Sequence, residues 1–246
     1  MTLLPQKTRI DKFLANRTNL SRNKIITLIN KKLIKVNNKI INDKSHLVGD
    51  NDKIVIKKIK IYVSRGAYKL LHALRYYKIN LKNKVCLDIG CSTGGFSQVM
   101  LENKANFIYA IDVGYKQFNT KLLLSKRICL KEKTNFLNLN GSNFKHKIDF
   151  IACDVSFISL TKIIKHINKI FFYPFKLICL IKPEFELTPK IIAKNKGYVS
   201  SKYHKKVIEK ILSLAKKLNF KINEVIKSPI IGAKKGNIEY LILLEK

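Results

Sequence analysis

Acidic side chains are scarce in this 246-residue chain: 16 Asp and Glu stand against 49 Lys and Arg, a formal net charge of +33. Such a field favours a polyanion, either nucleic acid or an anionic membrane face. The excess is spread out, with +11 in residues 1–60 and +22 in the other 186. The chain is also heavy in Lys, Ile and Asn, as AT-rich coding would make it, so charge by itself is a weak argument for RNA. Paired cysteines are missing too. Five cysteines (Cys86, Cys91, Cys129, Cys153 and Cys179) form no C-x-x-C pair, which excludes a disulfide framework or a zinc ribbon and implies a reducing, cytoplasmic setting. No apolar run reaches membrane-spanning length, and Met1–Arg9 has no signal-peptide core. No internal repeat or low-complexity linker is evident. The expectation is a protein without a metal and without a membrane anchor.

What is present centres on residues 85–97, Val-Cys-Leu-Asp-Ile-Gly-Cys-Ser-Thr-Gly-Gly-Phe-Ser. An apolar run, a Gly-rich turn and a helix start follow one another, the layout that holds a nucleotide-like ligand at a strand's carboxyl end. Gly90 and Gly94 are expected to let the backbone approach a ligand that a Cβ would block. The spacing is not G-x-G-x-x-G, so a dinucleotide fingerprint is absent. No Lys-Ser/Thr follows the last Gly, so a phosphate loop is absent as well. The remaining Asp-x-Gly-x-x-x-Gly pattern resembles the cofactor loop of S-adenosylmethionine-dependent methyltransferases. The bland alternative is an ordinary strand-to-helix connection.

Residues 1–60 read as a small module. Ile10, Phe13 and Leu14 share a helical face, Ser21 is a candidate N-cap, and Ile25, Ile26, Leu28 and Ile29 mark a second helix. Short strands are predicted at Lys32–Val36, Lys39–Ile41 and Asp52–Ile56. The order Arg9-x-Asp11-x-x-Leu14, Ser21-Arg22, Leu28-Ile29 and Lys35-Val36-Asn37 resembles the S4-type RNA-binding domain. Arg9, Arg22, Lys24, Lys31, Lys32 and Lys35 are its candidate RNA contacts, and phosphate contacts of this kind give affinity and register. Residues 57–63 are read as a linker. From residue 61 a second domain alternates strands with helices, which implies a mostly parallel sheet covered on both faces. Strands are predicted at Val85–Ile89, Phe107–Asp112, Arg127–Lys131, Ile148–Cys153, Lys176–Ile181, Lys221–Ile226 and Ile238–Leu244. The last two suggest a closing hairpin. Helices are predicted after Ser64 as N-cap, at Phe96–Asn103, at Leu160–Ile170 and at Lys202–Asn219.

Asp88, Asp112 and Asp154 fall where consecutive strands end, and an acid ending the second strand commonly accepts from ribose hydroxyls. Asn135, past the third strand, is placed to read an adenine edge. Lys182 ends an apolar strand just before Pro183. Desolvation and a second cation such as Lys69 would depress its pKa, while Asp154 would limit the drop and orient the amine. Read without a family, Glu239 is an outward-facing residue on an alternating strand.

Taken together, the chain resembles the hemolysin-A-like (TlyA) ribosomal RNA 2′-O-methyltransferases, which join an S4-type domain to an FtsJ-like methyltransferase domain. The resemblance rests on the N-terminal Arg/Asp/Ser-Arg pattern, residues 64–70 (Ser-Arg-Gly-Ala-Tyr-Lys-Leu), 87–97, 110–115, 153–159 and 181–186. It implies an α/β, Rossmann-like S-adenosylmethionine-dependent methyltransferase domain behind a small α+β RNA-binding domain. It implies a Lys-Asp-Lys-Glu tetrad of Lys69, Asp154, Lys182 and Glu239, with Lys182 as general base. It implies S-adenosylmethionine near Asp88, Gly90, Ser92, Gly94, Gly95, Phe96, Asp112, Asn135 and Asp154, Arg65 as a further RNA contact, and a cytidine ribose of ribosomal RNA as acceptor. A noncatalytic RNA-binding or assembly factor and a pore-forming hemolysin are the competing functions. The intact loop and both lysines speak against the first. The second would need a membrane-spanning segment or a strong insertion helix.

Overall fold

The computed structural model describes residues 7–57, 62–194, 196–232 and 236–246. Most of the expected linker at 57–63 therefore lies outside the described residues. The chain divides into two compact units, Met1–Ile61 and Tyr62–Lys246.

In the first unit β1 (Thr8–Arg9) leads into α1 (Ile10–Arg17) and α2 (Arg22–Asn30), followed by β2 (Ile34–Val36), β3 (Lys39–Ile41), β4 (Leu47–Val48) and β5 (Ile54–Ile56). The Ser21 hydroxyl accepts from the Lys24 amide and caps α2 as predicted. Asn37 and Asn38 both take left-handed φ, +49° and +68°, the conformation that closes a two-residue hairpin between β2 and β3. The sheet runs β3-β2-β5, and β1 pairs with β4. Ile10, Leu14, Ile25, Ile29, Ile34 and Val48 pack as its core.

A charge is buried within that core. Asp11 is fully enclosed and receives Arg9 Nη2 at 3.1 Å and Arg22 Nε at 2.9 Å. Burial pushes its pKa up, but the hydrogen bonds and charges of the two arginines outweigh burial and leave it lowered from 3.8. Arg22 thereby ties α2 to α1, while Arg9, just ahead of α1, braces the same carboxylate; their side chains remain 37% (Arg9) and 49% (Arg22) exposed.

The second unit is built on one twisted sheet. Helix α3 (Gly66–Tyr76) precedes β6 (Val85–Ile89), α4 (Gly95–Glu102), β7 (Phe107–Ile111), α5 (Thr120–Leu123), β8 (Ile128–Lys131), β9 (Phe150–Cys153), α6 (Leu160–Ile170), β10 (Lys176–Ile181), α7 (Pro189–Lys194), α8 (His204–Lys217), β11 (Lys221–Ile222), β12 (Ile226–Lys227) and β13 (Tyr240–Glu245). The strand order is β11-β13-β10-β9-β6-β7-β8, with β12 also on β13. Strands β8, β7, β6, β9 and β10 are parallel and β13 is antiparallel to β10. The apolar faces of α6 and α8 cover one side through Ile163, Ile167, Val207 and Ile211, while α3 and α4 cover the other through Leu70, Leu74, Val99 and Met100.

Several expectations shift. The predicted strand Lys221–Ile226 is broken into β11 and β12, where the Asn223 carboxamide bonds to Glu245. Helix α8 is shorter than Lys202–Asn219 because a 3-10 turn, Ser201–Tyr203, precedes it and Asn219 takes φ +56°. Ser64 does not cap α3: Arg65 holds that position, with no side-chain cap. Strands β2, β5, β8, β9 and β13 begin one or two residues later than predicted, at Ile34, Ile54, Ile128, Phe150 and Tyr240.

Replacing Asp11 by Ala leaves two arginines without their buried partner and should destabilise the first unit by about 2–3 kcal/mol, allowing for the partial exposure of both guanidiniums. Because the pKa is lowered, the stabilisation is full above the ordinary value of 3.8 and fades as pH falls below it. Amide exchange over residues 8–56 reads both effects, and unchanged protection in the variant would contradict them.

Candidate active site

The strand order reverses between β6 and β9, since β7 and β8 extend one way and β10 the other. Open parallel sheets hold ligands at the carboxyl ends of the strands beside such a switch. A cleft of about 550 Å³ lies there. Its apolar walls are Ile89, Ile111, Val113, Phe136 and Ile163, and its polar contributors include Ser92, Asp112, Asn135 and Asp154. In a chain of net charge +33 this lining contains no lysine or arginine, but two carboxylates. Such a wall disfavours a phosphate-bearing nucleotide and suits an adenosyl ligand that carries positive charge. The residues present fit S-adenosylmethionine on that ground.

The glycines work differently from the expectation. Gly90 (φ +81°) and Gly94 (φ +91°) occupy the left-handed region. A Cβ on Gly90 would lie 2.6 Å from the Asp154 carbonyl oxygen, and one on Gly94 2.8 Å from Phe118. A Cβ on Gly95 would lie 2.1 Å from Ser64 Oγ. The turn is glycine-rich because the protein packs against itself there; no open ligand path is what the missing Cβ atoms provide. Gly90 still lines the cleft, while Gly95 and Phe96 line a neighbouring pocket with Ser64, Arg65 and Lys69. Gly94 lines neither.

Asp88 lies in β6 as expected but does not line the cleft. It is sealed beneath the loop, where its Oδ2 accepts from Ser97 Oγ at 2.7 Å and Oδ1 has no hydrogen-bond partner among the described residues. Burial pushes its carboxyl up to about 7, although the Ser97 hydrogen bonds pull the other way. Asp112 both lines the cleft and braces the turn, accepting from the amides of Ser92 and Gly114, each at 2.7 Å. Asn135 is exposed at the rim, with its carbonyl oxygen occupied by the Leu137 amide at 3.0 Å. Sequence reasoning overlooked Glu132, whose carboxylate gathers the amides of Lys116 and Gln117 at 3.0 and 3.2 Å and shapes the rim. The position of Glu132 past an apolar strand was its one legible signal.

Four charged side chains meet at one end of the cleft. Lys182 Nζ lies 2.6 Å from Asp154 Oδ1 and donates to Ser156 Oγ at 3.0 Å. Lys69 Nζ lies 3.5 Å from Asp154 Oδ2 and 2.6 Å from Glu239 Oε2. Positive and negative groups alternate along the line Lys182, Asp154, Lys69, Glu239. Glu239, which an alternating strand would turn outward, is 4% exposed. Topology explains this. Tyr240 pairs antiparallel with Ile181, so the residue before β13 falls beside the residue after β10. Burial lowers the Lys182 pKa, as expected, but the charge and hydrogen bond of Asp154, with Glu239 behind it, prevail and leave it raised above 10.5. The expected depression is therefore reversed. Burial also raises Glu239, against the lowering effect of Lys69.

The remaining candidates are dispersed. Lys31, Lys32 and Lys35 are exposed on the first unit and Lys24 is half-buried there. Arg65 is exposed in the second unit. Among the described residues no His, Cys, Asp and Glu group could hold a metal, and no helix is long and apolar enough to cross a membrane.

Comparison with known proteins shows the family to which the chain belongs. The model of the FtsJ-like methyltransferase family matches residues 62–246 and that of the S4 domain residues 8–54. The curated 23S rRNA (cytidine-2′-O)-methyltransferase TlyA of Campylobacter jejuni is 35% identical over 94% of this chain and 97% of its own length. YqxC of Bacillus subtilis, a candidate rRNA methyltransferase, is 38% identical over 74% of this chain, and the match spans 65% of that protein. The solved structure of a candidate hemolysin from Streptococcus thermophilus superposes with a TM-score of 0.72 at 33% identity, covering 98% of this chain and 89% of that one.

The close approach at Gly90 predicts that Gly90→Ala costs about 2 kcal/mol or more, from the left-handed φ and the contact with the Asp154 carbonyl. It should weaken S-adenosylmethionine binding at least tenfold, measured by calorimetry. A variant with unchanged melting temperature and cofactor affinity would contradict this account of the turn.

Proposed function

The chain belongs to the FtsJ-like methyltransferases that carry an S4 domain, and from that premise we propose that it methylates the ribose 2′-hydroxyl of a cytidine in ribosomal RNA, with Lys182 as general base. The observation that carries the reading is the Lys182 ammonium 2.6 Å from Asp154, at the end of a cleft whose lining holds no cation. The Campylobacter jejuni relative, matched over nearly its whole length, bears the name of that reaction.

S-adenosylmethionine supplies a methyl already activated on a sulfonium. The chain's own residues must align the acceptor oxygen and take up one proton. Asp112, Asn135 and Ser92 hold the adenosyl part, with Gly90 and Phe96 at the loop, and Asp88, Gly94 and Gly95 keep the loop in shape from beneath. Asp154 presents one oxygen to each lysine. By raising the Lys182 pKa it keeps the amine protonated in the resting protein, and by the same attraction it makes the neutral amine a strong proton acceptor and stabilises the ammonium that forms. Lys69 and Glu239 balance that charge inside a poorly solvated pocket. Lys24, Lys31, Lys32 and Lys35 on the S4 unit, with the exposed faces of Arg9 and Arg22, and Arg65 beside the loop contact RNA phosphates, while Arg22 also holds α2 to α1 through Asp11.

Lys182→Ala should lower single-turnover methyl transfer to ribosomal RNA by roughly 10²–10⁴-fold and leave S-adenosylmethionine affinity within a few fold. Normal turnover would exclude Lys182 as the base. A raised pKa also sets the pH dependence. Between about pH 6.5 and 9 only the deprotonated fraction works, so the wild-type rate should climb about tenfold per pH unit without a plateau. Asp154→Asn should lower the apparent pKa and move the rising limb to lower pH. A wild-type plateau near neutrality would point to another base.

A further inference from the structure

A second cavity, of about 420 Å³, shares Ser156 and Phe157 with the cofactor cleft and is bounded by Lys69, Lys182 and Glu239. Phe185 and Ile192 give it apolar walls, and the Phe157 and Phe185 rings lie 5.2 Å apart, centroid to centroid. Most of its polar groups are already engaged. Ser156 accepts from Lys182, and Lys69 and Glu239 hold each other. Asn237 accepts from the Val199 amide and donates to the Gly197 carbonyl. Glu184 is the exception. Its Oε2 is buried and has no hydrogen-bond partner among the described residues.

A carboxylate oxygen removed from water requires a donor, and leaving it without one is costly. The donor must come from whatever fills the cavity. The apolar walls suit a flat ring, and the ring must carry an N–H at its edge. Cytosine presents an exocyclic amino group, where uracil presents a carbonyl that a carboxylate repels. We infer that Glu184 selects the acceptor base: its free carboxylate oxygen accepts from the cytosine N4 amino group while Lys182, two residues earlier, serves the ribose. This inference rests on the cytidine reading above and adds the residue that enforces it.

The test compares two RNAs. One is a ribosomal RNA fragment carrying the target cytidine with its 2′-hydroxyl free, and the other has pyrimidin-2-one, which lacks the amino group, on the same unmethylated ribose. The wild-type protein should favour the first by roughly 10- to 100-fold in single-turnover rate. Glu184→Met fills similar volume without an acceptor and should discriminate by less than about threefold, with S-adenosylmethionine affinity kept within a few fold. Should the variant turn over too slowly, the equilibrium affinities of the two RNAs carry the same comparison. Wild-type discrimination retained by Glu184→Met would overturn the inference. Absence of any ribosomal RNA methylation by the wild-type protein would instead sink the proposed function, and it would be seen before a variant is made.

Discussion

Everything at the catalytic end of the second unit depends on one carboxylate held between two ammonium groups. Asp154 receives Lys182 at 2.6 Å and Lys69 at 3.5 Å, and Glu239 closes the line at 2.6 Å from Lys69. Four charges in a poorly solvated pocket are costly apart and tolerable only together. The alternation of sign is what lets them be buried without neutralising. It also settles a competition over Lys182: burial alone would lower its pKa, but Asp154 makes it a cation that gives up its proton reluctantly and takes one avidly.

The sheet delivers these groups from four separate stretches of chain. Asp154 and Lys182 follow adjacent parallel strands, β9 and β10, so their places at one edge follow from alternating strands and helices. Glu239 arrives by the opposite route. Strand β13 runs antiparallel, and its beginning therefore lies at the edge where the parallel strands end. Lys69 comes from α3, which packs against α4 behind the glycine turn, and the contact of Gly95 with Ser64 sets that approach. A cation-free cleft opens on one part of this group, and a cavity with an unpaired glutamate oxygen opens on another.

Much of this was legible before any coordinates. The apolar runs ending in Asp88, Asp112 and Asp154 located three central strands, and Ser21 marked a helix start by side-chain chemistry that is purely local. What escaped the sequence depends on packing in three dimensions. The glycines at 90 and 94 read as openings for a ligand, yet they are filled by the Asp154 backbone and by Phe118. Arg9 and Arg22 read as RNA contacts, and their second task of holding a buried Asp11 was not legible, because nothing in a string of residues says that Asp11 is enclosed. The direction of the Lys182 shift was misjudged for a similar reason: burial and a neighbouring carboxylate oppose each other, and only a distance tells which prevails. The outward reading of Glu239 failed because the antiparallel pairing of Tyr240 with Ile181 sets the residue before β13 beside Lys182, which alternation along one strand cannot reveal.

The most direct measurement is a titration of the Lys182 side chain itself, by ¹³C-labelled lysine NMR with Lys182→Arg to assign the signal, in the wild-type protein and in Asp154→Asn. The account predicts a wild-type midpoint above the ordinary lysine value of 10.5 and a clear fall in the variant. A wild-type midpoint below that value, or one that ignores the loss of the carboxylate, would contradict it.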